Sequence, residues 1–290
     1  MNSKHRGWLR VLLLIIPYIL IVGSFQFYGS RFIYLIFSGS NYLGSSQNQT
    51  VSSFFGLLGT FIVLALFMKF VDKEKFVNLG FQTEGRLKEF NIGILIGIII
   101  MSLGYFILSM LDEIHFKEVI FNTKEIIISC FLFLIVAIVE ETLFRGYILR
   151  NLMISFNKYV ALIVSSLLFS LMHGFNPNID LFSLFDLFLA GLVLGISYTH
   201  TKNLWFPIAL HLSWNLFQTH FGFNVSGQDF YSLIEFNITK SNLLNGGDFG
   251  FEGSIFSIIF EILTFLGILY YYSKKENSEK CENLISKTDK

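Results

Sequence analysis

Charge is what this sequence has least of. Only 14% of its 290 residues are Asp, Glu, Lys or Arg, where a soluble domain carries about 25%. The shortage is concentrated in long apolar runs. With a mean hydropathy of +0.60, it excludes an ordinary soluble chain and marks an integral membrane protein. The formal net charge is zero, which gives no footing for nucleic-acid binding, and no nucleic acid is expected as a partner. Cysteine is nearly absent: Cys130 lies in an apolar run and Cys281 in a polar stretch, so a disulfide framework is not implied. Proline is scarce at 3, and neither an internal repeat nor a low-complexity tract is present.

Apolar length is abundant. Windows of about 17–25 residues give eight expected spans: Trp8–Tyr28, Val51–Val71, Phe90–Leu111, Ile126–Leu149, Tyr159–Phe175, Leu181–Thr199, Leu204–Phe221 and Ser254–Tyr272. The first follows Lys4, Arg6 and Arg10 but runs past Gly23 without a small-x-small cleavage site, so it reads as a retained anchor and not as a signal peptide. With the N-terminus inside, alternation puts 17 of the 21 Lys and Arg on the inner side; Arg31, Lys117, Lys124 and Lys240 fall outside. The positive-inside rule then sets both termini in the cytoplasm. The expected fold is an all-α integral membrane protein, a bundle of about eight transmembrane helices, N-in and C-in. We divide it into helices 1–3 (1–124), a core of helices 4–7 (125–221), an outer loop with helix 8 (222–273) and a cytoplasmic polar tail (274–290).

Against this background VEETLFR, residues 139–145, is anomalous. Each charge near a bilayer centre costs roughly 2.5–3.5 kcal/mol on insertion scales. Glu141 and Arg145 are four apart on one helix face and can pair. Glu140 lies about 100° round the helix and needs another partner. The candidates are His173 in FSLMH and His211 and Asn215 in HLSWN. Counted from the cytoplasmic anchors Arg150, Lys158 and Lys202 at 1.5 Å per residue, these side chains stand about 14–22 Å up the bundle. That is one middle slab.

Such a group suits hydrolysis of an amide in a membrane cavity. A carboxylate can take a proton from water that an imidazole orients. A second imidazole and an amide NH₂ can donate to the developing oxyanion. A catalytic zinc on Glu140, His173 and His211 is the alternative, although the helical H-E-x-x-H signature is absent.

Glu140-Glu141 with Arg145, Phe169 with His173, and His211 with Asn215 resemble, in order, the motifs E-E-x-x-x-R, F-x-x-x-H and H-x-x-x-N of the CPBP family. This family comprises the type II CAAX prenyl proteases and their bacterial Abi or bacteriocin-processing relatives. The resemblance covers about 125–221. It implies an intramembrane endopeptidase with a catalytic cavity open toward the cytoplasm. Glu140 would be the general base, His173 would help activate the water, and His211 and Asn215 would form the oxyanion site. Glu141 and Arg145 would hold the helix in register, and Phe169 would pack behind. The family is commonly labelled as metallopeptidases; the Glu and Asn roles favour glutamate-activated water without metal.

The Lys-, Asn-, Phe- and Ile-rich composition resembles that of low-GC bacteria, where prenylated partners are not expected. Secreted peptides such as bacteriocins or pheromones, and membrane proteins, are then the implied substrates, in a plasma membrane. Two other functions stand beside this one. A non-catalytic scaffold or immunity protein would bind a sensor kinase or cell-wall machinery. A proton-coupled transporter would use intramembrane Glu and His, but the inverted repeat of many transporters is missing. Asp186 and Glu261 fit no motif, and a structural role is favoured for them. Gly191 and Gly195 offer a small-xxx-small face. The Asn-, Gly- and Phe-rich segment 222–253 reads as a loop or a shallow re-entrant piece.

Overall fold

The computed structural model of the protein describes residues 6–36 and 45–288, with side chains for 6–35 and 46–275. Lys4 and the side chain of Cys281 lie outside these. The helices are α1 (Gly7–Ile36), α2 (Ser45–Phe67), α3 (Leu87–Met110), α4 (Thr123–Glu141), α5 (Arg150–Ser155), α6 (Lys158–Met172), α7 (Leu181–Thr201), α8 (Trp205–His220) and α9 (Ile255–Thr288). Six helical stretches are long and apolar enough to cross a membrane: Gly7–Leu35, Ser46–Asp72, Leu87–Met110, Thr123–Ser155, Leu181–Thr201 and Ile255–Lys275. The chain is an all-α, multi-pass membrane protein.

The fifth and seventh expected spans are the shorter helices, of 15 residues in α6 and 16 in α8. At 1.5 Å per residue they rise only about 22–24 Å, against about 30 Å of hydrocarbon. The expected fifth span ran through Phe175, but α6 stops at Met172 and His173 is its C-cap. The expected polar tail begins as a continuation of α9, whose backbone is helical to Thr288.

Small residues set the closest approaches. A Cβ on Gly93 of α3 would stand 2.8 Å from the Phe206 carbonyl and 2.9 Å from the Ala209 Cβ of α8. A Cβ on Gly191 of α7 would stand 2.8 Å from the Ser166 Cβ of α6. These pairs let helices pack backbone to backbone, as small residues do where apolar burial alone gives no drive.

α4 and α5 are one continuous rod, joined by a π-helical segment, Thr142–Leu149, whose eight residues are all buried. Its first hydroxyl, Thr142 Oγ1, donates to the Ile138 carbonyl at 2.5 Å, a back-bond that competes with the α ladder. At and below the lower end of this segment the rod is clamped. Tyr147 donates to Asp72 Oδ2 at 3.0 Å, Arg10 pairs with Asp72 Oδ1 at 2.8 Å, and Arg150 pairs with Glu74.

One element type has no counterpart among the expected spans. His115–Val119 (β1) and Ile234–Asn237 (β2) form a small antiparallel sheet, with an irregularity between Phe116 and Glu118. It ties the α3–α4 connection to segment 222–253. That segment packs inward through a second core in which Phe223 and Phe251 join Trp214, Ile100 and Met101. Burying Phe251 turns its neighbour Glu252 into the bundle, where it lines a cavity.

Candidate active site

The cavity has a volume of about 470 Å³ and is walled by α1, α2, α4, α6, α7, α8 and α9, with the turns on either side of β2. Glu140, Phe169, His173, His211 and Asn215 all line it. Three of the helices around it are started by ordinary local chemistry. Asn122 accepts from the amides of Lys124 and Glu125 to start α4, and Asn157 does the same for α6 through Tyr159 and Val160. Asp180 accepts from Ser183 to start α7. Each side-chain oxygen satisfies amides that the first turn leaves free.

Glu140 and Glu141 part company as their angular separation requires. Glu141 is fully buried and its Oε1 accepts from Arg145 at 2.9 Å. The same oxygen meets His211 Nδ1 at 2.9 Å, a cross-helix contact that spacing along α4 does not reveal. Arg145 is held on its other sides. It donates to the Gly191 carbonyl at 3.0 Å, and its guanidinium lies 4.6 Å from the Phe169 ring centre, within cation–π range.

Glu140 faces the cavity with its side chain 25% exposed. Its Oε2 has no hydrogen-bond partner among the described residues. The nearest polar atoms are His173 Nε2 and His211 Nε2, each at 3.9 Å. That distance is too long for a direct bond and suits one bridging water, about 2.8 Å from each atom.

The tautomers follow from the other ring nitrogens. His173 Nδ1 stands 2.8 Å from the Phe169 carbonyl. A carbonyl only accepts, so Nδ1 carries the proton and, in the neutral ring, Nε2 is a lone pair. His211 Nδ1 faces the Glu141 carboxylate, with the same consequence. Phe169 thus contributes its carbonyl as well as its ring. Asn215 is buried at 5% exposure and its amide makes no hydrogen bond within the described residues, so it faces the cavity uncommitted.

Two further acids line the same cavity, Glu252 and Glu261. Glu252 Oε2 accepts from the Ser226 amide at 2.7 Å and from its hydroxyl at 2.8 Å. Burial raises the Glu252 carboxyl above the usual carboxylate range, while the Ser226 donors pull it back. Asp186 lies behind, its Oδ2 accepting from Ser257 at 3.0 Å. Glu252 carries no signal in the sequence, because an acid in a polar loop is unremarkable there.

Among the described residues no three His, Cys, Asp or Glu side chains stand close enough to hold a metal. Tetrahedral zinc bonds of 2.0–2.2 Å need ligand atoms about 3.4 Å apart, and Glu140 Oε2 is 3.9 Å from each Nε2.

Residues 121–217 match the family model described as Type II CAAX prenyl endopeptidase Rce1-like. The segment resembles the Rce1-like family over these residues. It takes in α4, the π segment, α5, α6, α7 and most of α8, and so every side chain of the Glu140–Glu141–Arg145–Phe169–His173–His211–Asn215 group. Glu252 and Glu261 fall outside the Rce1-like segment. No curated protein matches the chain.

Proposed function

We propose that the protein is an intramembrane endopeptidase that hydrolyses a peptide bond of a peptide or membrane-protein substrate. One observation carries the reading: the unpartnered Glu140 Oε2 faces two histidine Nε2 atoms at equal distance across a cavity. The Rce1-like match supports a CAAX-type protease as the class. By the distribution of Lys and Arg, both termini face the cytoplasm of a cell membrane; a cavity open toward that side is what the family resemblance implies.

A water seated among these three atoms donates one hydrogen to Glu140 Oε2 and the other to His173 Nε2. As its oxygen attacks the substrate carbonyl, Glu140 takes the proton. The carbon becomes tetrahedral and its oxygen gains negative charge. Asn215 Nδ2–H donates to that oxyanion. His211 can join it only as the imidazolium, with Nδ1–H held on the Glu141 carboxylate. Glu141 is then a positioning residue, fixed in turn by Arg145. Glu140 returns its proton to the leaving nitrogen as the C–N bond breaks, giving a free carboxylate and a free amine.

The test compares peptides from cells expressing wild type or Glu140→Gln at matched levels, with and without a zinc chelator applied to the purified protein. New peptide termini vanish with Glu140→Gln, the loss being about 100-fold or more in rate, and the chelator leaves cleavage intact. Unchanged termini with a persisting cellular phenotype would sink the peptidase and favour a scaffold that binds a sensor kinase or cell-wall machinery. Inhibition by chelator, reversed by zinc, would replace glutamate-activated water with zinc on Glu140, His173 and His211.

A further inference from the structure

The cavity carries two kinds of acid, and the reaction above uses only one. Glu252, from the turn before α9, and Glu261, from the second turn of α9, face the same space as Glu140. Asp186 of α7 stands close enough for its charge to act on both. Glu252 lines the same cavity as His173 and His211, so this group adjoins the reacting atoms.

Its hydrogen-bonding needs are unmet. Glu261 is 1% exposed, and neither of its carboxylate oxygens has a partner. Asp186 Oδ1 is also without one, and Glu252 uses only Oε2, on Ser226. No Lys or Arg lines the cavity among the described residues. Structural intramembrane acids are paired with a cation or a donor, as Glu141 is. Acids that line a cavity unpaired are arranged for something that enters it.

What would satisfy them is a compact cation with several N–H donors. An arginine guanidinium offers five and a lysine ammonium three, and charge-assisted bonds to carboxylates are the strong ones. We infer that Glu252 and Glu261, backed by Asp186, form an acidic subsite of the cavity that takes the cationic side chain of an arginine or lysine in the substrate peptide. The inference rests on the peptidase reading for the ligand being a peptide. It adds that the cleaved bond lies a short distance along the chain from a basic residue.

The full-length protein in detergent is offered two octapeptide mixtures, randomised except at one position that carries arginine or its neutral isostere citrulline. A second pair carries lysine or norleucine. Cleavage is followed by mass spectrometry, scanning the fixed position. At one position the basic peptides are cut faster, by on the order of tenfold to a hundredfold for a lost charged hydrogen bond. In the Glu252→Gln/Glu261→Gln double variant that ratio falls to near one. Equal cutting of both mixtures by wild type overturns the subsite. So does a double variant that keeps the preference, or one that slows both mixtures equally, which would assign these acids to proton transfer.

If wild type cuts no peptide, the peptidase reading has failed and the subsite is judged by binding. Fluorescence anisotropy of the labelled mixtures on Glu140→Gln protein should show the same preference, lost when Glu252→Gln and Glu261→Gln are added. Equal binding of basic and neutral peptides overturns it. Circular dichroism and elution volume check folding, and the single Glu261→Gln variant decides the ratio if the double variant fails to fold.

Discussion

Glu141 and Glu261 are both intramembrane glutamates, 0% and 1% exposed, and they live under opposite conditions. Glu141 Oε1 is met by Arg145 and His211, each at 2.9 Å, and Arg145 is itself finished by the Gly191 carbonyl and the Phe169 ring. Glu261 meets no donor at all among the described residues. The first side chain is a component of the fold, its charge balanced by the partner it was folded with. The second lines the cavity with both carboxylate oxygens unmet. Burial alone does not separate a structural acid from a binding one; the state of its oxygens does.

The sharpest way to break this comparison is to strip Glu141 of its charge. Glu141→Gln leaves the guanidinium of Arg145, 1% exposed, without a carboxylate. Breaking a buried pair from one side costs about 3–5 kcal/mol, and the loss should be plain in thermal unfolding in detergent, with cleavage falling as His211 loses its anchor. A variant as stable and active as wild type would mean that the pair holds nothing.

An intermediate effect is expected from Gly191→Ala. The added Cβ would stand 2.8 Å from the Ser166 Cβ and 2.9 Å from the Ser166 Cα, so α6 and α7 must separate and the carbonyl under Arg145 must shift. Overpacking of this kind costs about 1–3 kcal/mol, read as a lower unfolding temperature, and a silent substitution would show that the approach is not tight.

The smallest effect has the opposite sign. Glu261→Gln replaces a carboxyl that no donor in the fold meets, so stability should hold or rise, by about 1 kcal/mol. A marked loss would reveal a partner for Glu261 and merge the two groups into one.

The site was legible where chemistry violated its surroundings. Glu140, Glu141 and Arg145 stand out because the run before them has no charge, and His173, His211 and Asn215 because they interrupt apolar helices. Counting rise from the cytoplasmic anchors brings the acid, imidazoles and amide to one level, and they line one cavity. The membrane-spanning helical character was legible for the plainest reason, long apolar runs. What escaped lay across elements. Spacing on α4 pairs Glu141 with Arg145 but cannot show that His211, 70 residues on, shares the same oxygen. HFKEV and IEFN are short and charged, so nothing in either announces the other as its strand partner. Glu252 enters the cavity only because Phe251 is drawn into an aromatic core, a long-range packing event with no local pattern.

The π-helical stretch Thr142–Leu149 gives the fourth rod a vernier. Its i→i+5 bonding advances each residue through a smaller angle than the α turns on either side, so the two ends of the rod are phased separately. The upper end aims Glu140 and Glu141 at the histidines while the lower end aims Tyr147 and Arg150 at Asp72 and Glu74. Removing one residue between Glu141 and Tyr147 would tighten the stretch toward an ordinary α-helix and collapse the two phases into one. The rod could then satisfy its chemistry or its moorings, but no longer both.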